Sequence, residues 1–189
     1  GVIYLKRRKF QHALEAFDRS LGLRGPAARI LQYRAEAYAM LGWRTKATHD
    51  IQSALEKDPK NPALHSTLGQ MRMRYREFDL ALQDLDTAAK LDNKNASVWT
   101  QRGLAHAHLG DFKRALFDLG KAVDLDDKSK EAWTSLCHVR RIAKDPEGAV
   151  KACTKALAKD DAYAAAYLQR GLSYFRMGEP FKAIDDIDR

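Results

Sequence analysis

Small side chains recur at a fixed spacing of 34 residues along this chain. One column of the pattern contains only alanine, at Ala13, Ala47, Ala81, Ala115, Ala149 and Ala183. A second column, twelve residues earlier in each period, contains only small residues, at Gly1, Ala35, Gly69, Gly103, Cys137 and Gly171. A third column, four residues after the alanines, is mostly larger and apolar, at Phe17, Ile51, Leu85, Leu119, Cys153 and Ile187. Self-similarity at this period predicts a repeat architecture in which each period is one supersecondary unit.

The offsets within each period predict helices. Residues four and seven positions apart share one face of an α-helix, which is where the alanine column and its apolar neighbours fall. A small residue on that face lets a neighbouring helix approach closely, and the glycine-rich column belongs to that neighbour. Each period is therefore predicted to be an antiparallel helix pair. One pair cannot bury its own apolar face, so successive pairs must stack into an all-α solenoid.

The ends of these helices can be placed from capping signals. First helices are predicted near 28–41, 62–75, 96–109, 130–143 and 164–177, and second helices near 10–23, 44–57, 78–91, 112–125, 146–159 and 180–188. Segments rich in Asp, Asn and Ser between repeats, at 58–62, 92–95, 126–129 and 160–161, supply N-cap chemistry. Within repeats, Gly42, Gly110 and Gly178 occupy the turn, where a residue with positive φ is common.

The pattern resembles the tetratricopeptide repeat along the whole chain. The closest match is repeat 96–129, which carries Trp99, Gly103, the segment 109–112, Ala115 and Ala122. Other repeats depart locally, with His65 in place of the first-helix aromatic and Pro146 in place of the second-helix aromatic. The resemblance implies a right-handed superhelical solenoid of antiparallel helix pairs.

The repeat frame also predicts the organisation of the chain. We expect a single array over 1–189, with complete repeats 28–61, 62–95, 96–129 and 130–163 between partial repeats 1–27 and 164–189. Terminal repeats need polar capping faces, and neither end of this sequence has one. We therefore expect the chain to be a fragment of a longer protein.

Net charge and cysteine content restrict the partners and the compartment. The net charge of +8 includes six basic and two acidic residues in the first 27 positions, and the rest of the chain is close to neutral. This distribution differs from a basic stripe that follows nucleic acid. Cys137 and Cys153 are too few for a disulfide framework, which predicts two buried thiols in a reducing compartment.

A charged pair recurs in alternate repeats. Arg34, Arg102 and Arg170 share one column, and Asp50, Asp118 and Asp186 follow sixteen residues later. We predict a salt bridge between the two helices of each of these repeats; solvated, unpaired charges are the alternative. Repeat 130–163 has Leu136 and Ala152 at these positions, and repeat 62–95 has Leu68 with Asp84.

Catalytic motifs are absent from the sequence. It contains no phosphate-binding glycine loop, no GxSxG elbow and no HExxH pair. His106 and His108 are two residues apart, so they cannot share a metal on one helix, and we expect both to be exposed. We predict that the chain is not an enzyme and that it holds no cofactor and no metal.

The resemblance implies a concave groove lined by the first helices, which accepts a peptide or a partner helix. Carried over column by column, the candidate groove residues are Gln32, Tyr33, Glu36, Ser66, Thr67, Gln70, Arg74, Thr100, Gln101, Leu104, His108, Thr134, Ser135, His138, Arg141, Gln169 and Arg176. The asparagines that chaperone-binding members of this family use to clamp a carboxylate are missing from both relevant columns, so we do not expect that kind of binding.

The predicted function is a protein–protein interaction scaffold within a larger protein or assembly, with a protein or peptide partner and no membrane or nucleic acid. Two alternatives stay open: an RNA-binding helical array, motivated by the basic segment 6–9, and the non-catalytic part of a larger enzyme. The default location is cytoplasmic, and a cytoskeletal or ciliary assembly fits arrays of this kind.

Overall fold

A computed structural model describes residues 1–189, apart from the side chain of Arg24. The described residues form helices, turns and loops, with no strand among them. They divide into two compact units, Gly1–Asn93 and Lys94–Arg189, called here the N-terminal and C-terminal units. The predicted all-α class is confirmed, whereas the prediction of a single array stays a prediction.

Each unit contains six described helices. In the N-terminal unit they are α1 (Val2–Lys6), α2 (Phe10–Arg24), α3 (Ala28–Met40), α4 (Arg44–Lys57), α5 (Pro62–Arg74) and α6 (Phe78–Leu91). In the C-terminal unit they are α7 (Ala96–His108), α8 (Phe112–Leu125), α9 (Lys130–Ile142), α10 (Pro146–Leu157), α11 (Ala164–Arg176) and α12 (Pro180–Ile187). The helix bounds follow the predicted ones closely, and the largest difference is at α10, which ends two residues early.

The helices of a unit pack in two layers. The first and second helix of each repeat form an antiparallel pair, and the second helix also packs against the first helix of the following repeat, as α4 does against α5 and α10 against α11. First helices contact one another directly, α1 with α3 and α3 with α5 in one unit, α7 with α9 and α9 with α11 in the other. Each unit therefore presents a surface made of first helices alone.

The close approach predicted for the small residues is present in each unit. A Cβ added to Gly103 would lie 2.8 Å from Cγ of Leu119 and 3.1 Å from the carbonyl oxygen of Ala115. At the equivalent position of the N-terminal unit, a Cβ on Gly69 would lie 2.7 Å from Cγ of Leu85. The alanine column is fully buried from Ala13 to Ala149 and 3% exposed at Ala183. A side chain at either glycine would therefore force the leucine of the paired helix to move.

The turn inside each repeat has one residue in the left-handed region. Gly42, Gly110 and Gly178 have φ of 78°, 82° and 75°, as predicted. The same position in the intervening repeats holds a basic residue with positive φ, at Arg8 (56°), Arg76 (61°) and Lys144 (66°). Two repeat types therefore alternate with a period of two repeats. The type with glycine in the turn also carries the Arg34 column, and the type with a basic turn residue carries leucine there.

Side-chain caps begin most first helices of the complete repeats. Asn61 accepts a hydrogen bond from the Ala63 N–H at 3.0 Å, and Asn95 and Ser129 cap α7 and α9 in the same way. The predicted cap from Asp160 and Asp161 is wrong for α11, because the N-cap position is occupied by Tyr163, which has no cap hydrogen bond. Asp160 instead pairs with Lys130 and accepts from the Ala162 N–H.

The predicted ion pairs are confirmed in all three repeats. Arg102 Nε and Nη2 each donate to Asp118 at 2.7 Å, and Arg34 and Arg170 bind Asp50 and Asp186 in the same bidentate geometry. These aspartates are buried, so they are held inside the helix pair and are not solvated charges.

The cysteines differ from their prediction. Their burial is confirmed, since both are 0% exposed, but the prediction of free thiols is wrong because Cys137 and Cys153 form a disulfide. They occupy the crossing position that Gly103 and Leu119 fill in the preceding repeat. The helices approach closely there, with a Cα–Cα distance of 5.3 Å, which is the ordinary range for a disulfide.

Candidate functional site

In the N-terminal unit, predicted groove residues on α3 and α5 are joined by hydrogen bonds. Gln32 Nε2 donates to Thr67 Oγ1 at 2.8 Å and to Glu36 Oε1 at 3.4 Å. Gln70 Nε2 donates to Ser66 Oγ at 3.3 Å. Gln32 and Thr67 come from successive first helices, so this contact fixes one helix against the next and holds their side chains in a defined arrangement.

A cavity of about 430 Å³ opens beside these residues, between α1, α3 and α5. Its lining combines four predicted groove residues with six others: Glu36, Thr67, Gln70 and Arg74, together with Leu5, Arg8, Phe10, Ala39, Met40 and Met71. The floor is apolar and the rim is polar and charged, which is the usual composition of a ligand site.

Sequence reasoning missed the wall formed by Leu5, Arg8 and Phe10. These residues lie in the partial repeat at the start of the chain, and groove positions were carried over only for the repeats that follow. A signal was available, because Arg8 occupies the turn column whose other members include Gly42 and Gly110. A side chain at this turn can reach the first-helix surface, whereas glycine cannot.

The charges at this cavity are of both signs. Burial raises the pKa of the Glu36 carboxyl, and hydrogen bonds from Gln32 and Thr67 oppose that rise. Arg8 and Arg74 are exposed and lie on the cavity rim. The rim therefore offers two guanidinium groups as donors and one partly desolvated carboxyl as an acceptor.

In the C-terminal unit, a second polar cluster lies on the first-helix surface. Gln169 Oε1 accepts from Arg141 Nε at 3.2 Å and lies 3.1 Å from His138 Nδ1. Burial lowers the pKa of the Arg141 guanidinium, and the positive charge of Arg176 lowers it further. The structure thus brings His138, Arg141 and Gln169 of α9 and α11 together, with Arg176 close enough to interact by charge.

Other predicted residues make local contacts. Tyr33 stacks on Phe17, with ring centroids 6.1 Å apart, and packs into the core of the N-terminal unit. Thr100 is buried, and its hydroxyl donates to the Ala96 carbonyl within α7 at 3.0 Å. Gln101, Leu104, Thr134 and Ser135 are half-buried, and His108 is exposed.

The prediction that His106 is exposed is wrong. It is buried against the ion pair of its own repeat, with Nε2 at 3.9 Å from Asp118 Oδ2. His108, two residues further along α7, is exposed as predicted.

Within the part of the chain that the structure describes, no group of His, Cys, Asp and Glu side chains could hold a metal ion. Among the same residues, no helix combines the length and the apolar character that crossing a bilayer requires.

Comparison with known proteins identifies the repeat. The tetratricopeptide repeat model matches residues 66–130. The chain therefore contains tetratricopeptide repeats. The matched segment begins inside α5, includes α6, α7 and α8, and ends at the first residue of α9. The same 34-residue columns continue on both sides of it. A comparison with curated protein sequences gave no significant match.

Several solved structures share the fold. PilW, a type IV pilus biogenesis factor, has a TM-score of 0.89 at 17% identity, over 98% of this chain and 86% of its own. A thermophilic tetratricopeptide protein of Thermus thermophilus has a TM-score of 0.82 at 21% identity, over 93% and 95%. YrrB, which has an unusual peptide-binding site, has a TM-score of 0.68 at 19% identity, over 93% and 90%. Identities this low establish similarity of fold.

Proposed function

We propose that this tetratricopeptide protein is a non-catalytic interaction scaffold that binds an extended peptide, or one helix of a partner, on the first-helix surface of its N-terminal unit. The observation that carries the proposal is the cavity between α1, α3 and α5, because four of the predicted groove residues line it. The peptide-binding site of YrrB, a protein of the same fold, adds support.

The chemistry of the cavity suits a peptide. Met40 and Met71 provide an apolar and adaptable floor, which accepts a large aliphatic or aromatic side chain. Gln70 and Thr67 stand at its edge with donors and acceptors that can pair with an extended backbone. The volume of about 430 Å³ lies within the range of sites that hold one compact ligand group.

Preorganisation favours binding at this surface. The Gln32–Thr67 hydrogen bond at 2.8 Å already fixes α3 against α5, so few side chains must become ordered when a peptide binds. Ordering an interface side chain costs about 0.5–1.5 kcal/mol, and a surface that is ordered in advance avoids that loss.

The proposal is tested by selecting peptides from a random displayed library on the immobilised protein and measuring their affinity by fluorescence anisotropy. Gln70→Trp places an indole at the mouth of the cavity, and we expect it to weaken binding of the selected peptides at least about tenfold. Gln83→Trp is the matched control, since Gln83 is an exposed glutamine on the second helix of the same repeat. Equal affinity for both variants, or selection of no peptide, would contradict the proposal.

An RNA-binding measurement on the same protein separates this proposal from the RNA-binding alternative. Salt-dependent binding of a single-stranded RNA, with no peptide selected, would favour the RNA-binding array. The cytoplasmic location stays a prediction, and the Cys137–Cys153 disulfide argues against it, because disulfides persist mainly in oxidising compartments.

A further inference from the structure

In each unit, a cavity lies between the two helices of one repeat. Between α3 and α4, a cavity of about 290 Å³ is lined by Arg34, Tyr38, Thr45, Lys46, His49 and Asp50. Between α7 and α8 lies a cavity of about 440 Å³. Its lining consists of Asp111 and of the residues 68 positions after those of the first cavity, which are Arg102, His106, Lys113, Arg114, Phe117 and Asp118. We call these two cavities the flank pockets. Neither shares a lining residue with the cavity between α1, α3 and α5.

The floor of each flank pocket contains an ion pair. It is the bidentate pair Arg34–Asp50 in one unit and Arg102–Asp118 in the other, with N–O distances of 2.6–2.8 Å, and Arg34 also binds Asp18 at 2.7 Å. The carboxylates of Asp50 and Asp118 are thus already paired inside the pocket.

The rim of each flank pocket retains an unbalanced cation. Among the described residues, no carboxylate pairs with the ammonium group of Lys46 or of Lys113, and both lysines are exposed. Arg114 on the second rim is balanced by Asp111 at 3.3 Å. Each pocket therefore has one lysine available for an anionic group.

An exposed aromatic ring stands beside each of these lysines. Lys46 lies 4.7 Å from the ring centre of Trp43, which is 41% exposed. In the other pocket, Phe117 is 68% exposed on α8, one helical turn after Lys113. A large exposed aromatic beside a cation is the composition of an energetically important point in a protein interface.

Repeats 62–95 and 130–163 lack the arginine of the floor and the lysine of the rim. Leu68 and Leu136 replace the floor arginine, and Asp79 and Glu147 reverse the charge at the position of Lys113. The third repeat of the arginine type, 164–189, keeps the Arg170–Asp186 floor, but its rim cation Lys182 is paired with Glu179. Among the three repeats of the arginine type, a rim lysine without a carboxylate partner is therefore found in the two flank pockets.

We infer that the flank pockets bind acidic segments of a partner protein, with a carboxylate on Lys46 or Lys113 and a neighbouring apolar side chain on Trp43 or Phe117. This site goes beyond the proposed function, because it lies on residues that the peptide cavity does not use. An acidic segment fits by charge complementarity, since each pocket offers one cation and no free carboxylate at its rim.

The test uses a short fluorescein-labelled peptide of repeated Leu-Glu-Glu units, its Leu-Gln-Gln counterpart, and the whole chain with its disulfide intact. We expect the glutamate peptide to bind and the glutamine peptide to bind at least about tenfold more weakly. Lys46→Glu and Lys113→Glu should each weaken binding of the glutamate peptide, and the double variant should abolish it. Quenching or a shift of Trp43 fluorescence should accompany binding and disappear in Trp43→Phe.

Lys151→Glu is the matched control, because Lys151 is exposed on α10 in a repeat of the other type and its substitution changes the net charge equally. Lys182→Glu tests the third, balanced rim. We expect both variants, and Gln70→Trp, to bind the glutamate peptide as the unsubstituted protein does, so this result is independent of the peptide cavity.

Three outcomes would overturn the inference: no binding of the glutamate peptide, equal loss in Lys151→Glu and Lys113→Glu, or equal binding of the glutamine peptide. The second would indicate general attraction to a chain of net charge +8. Displacement of the peptide by a single-stranded RNA that depends on Lys46 and Lys113 would also overturn it, by assigning the pockets to nucleic acid.

Discussion

Arg102 and Asp118 cross-link the two helices of their repeat through two hydrogen bonds of 2.7 Å. The Asp118 side chain is only 1% exposed, so its carboxylate is paired inside the protein. In repeat 130–163 the equivalent residues are Leu136 and Ala152, and the residues immediately after them, Cys137 and Cys153, form the disulfide. The link between the paired helices is thus kept while its chemistry changes from an ion pair to a covalent bond.

Arg102→Leu should destabilise the protein strongly. It leaves the Asp118 carboxylate buried without its bidentate partner, which costs about 3–5 kcal/mol when one member of a buried pair is removed. The free energy of unfolding from urea titration measures this loss.

The double substitution Arg102→Leu with Asp118→Ala copies the residues of repeat 130–163 and should cost clearly less than the sum of the single changes. We expect a coupling energy of at least about 1 kcal/mol, because the second substitution removes the carboxylate that the first one leaves unpaired. Additive single effects would show that the two charges are solvated independently.

Asp84 occupies the same column as Asp118, but its repeat has Leu68 at the position of Arg102. Arg72 Nη1 lies 2.8 Å from its Oδ2 and also donates to the Leu80 carbonyl at 3.2 Å. Burial raises the pKa of Asp84 to about 6, and the charge of Arg72 only partly opposes the rise. This carboxyl is therefore held in a site that disfavours its ionised form.

Stability should fall as the pH rises from 4 to above 6, through the titration of Asp84. In this range the folded protein binds a proton that the unfolded chain, with its ordinary lower pKa, has released. The full effect is at most about 3 kcal/mol for a shift of this size. Asp84→Asn should remove this slope and be the more stable form at pH 7.

The measurement is urea unfolding at several pH values between 4 and 7. Asp79→Asn is the control, since Asp79 is an exposed carboxylate on the same helix. The prediction fails if Asp84→Asn and the unsubstituted protein show parallel pH profiles.

Most of the fold could be predicted from the sequence because its packing rule is local and repeats. Ala115 and Gly103 lie where the two helices of their repeat cross closely. Because the period is fixed, the equivalent residues mark the same crossing in the other repeats. The ion pairs followed for the same reason, since their offset of sixteen residues spans one helix pair. The disulfide did not follow, because the columns of Cys137 and Cys153 indicate the size of the side chains at the crossing and not their oxidation state.

The candidate sites were less predictable, because they depend on which side chains turn outward. Thr100 lies in the same column of the groove prediction as Ser66, yet its hydroxyl bonds to its own helix. Arg8 lines the peptide cavity from a turn, a place where the repeat pattern indicates glycine. The flank pockets depend on the alternation of two repeat types. The sequence indicates this alternation through the Arg34 column, and the backbone angles at Arg8, Arg76 and Lys144 agree with it.

Ala115→Leu tests the helix crossing. Ala115 is fully buried, and its carbonyl lies 3.1 Å from the position of a Cβ on Gly103, so a larger side chain must push α7 and α8 apart. We expect overpacking to cost about 1–3 kcal/mol in the free energy of unfolding. An unchanged melting temperature would mean that the helices do not meet at this residue.

Reduction of the Cys137–Cys153 disulfide should destabilise the C-terminal unit. The bond closes a loop with a sequence separation of 16 residues, and a cross-link over that length contributes about 3 kcal/mol. Repeat 130–163 has no Arg–Asp pair at the usual column to keep its helices together when the bond is lost. Urea unfolding with and without a dithiol reductant measures the effect.

Cys137→Gly with Cys153→Leu restores the glycine–leucine crossing of repeat 96–129, so this variant should fold and should be insensitive to the reductant. If the unsubstituted protein is equally stable in both conditions, or if alkylation of the denatured chain finds two free thiols, the disulfide does not hold these helices together.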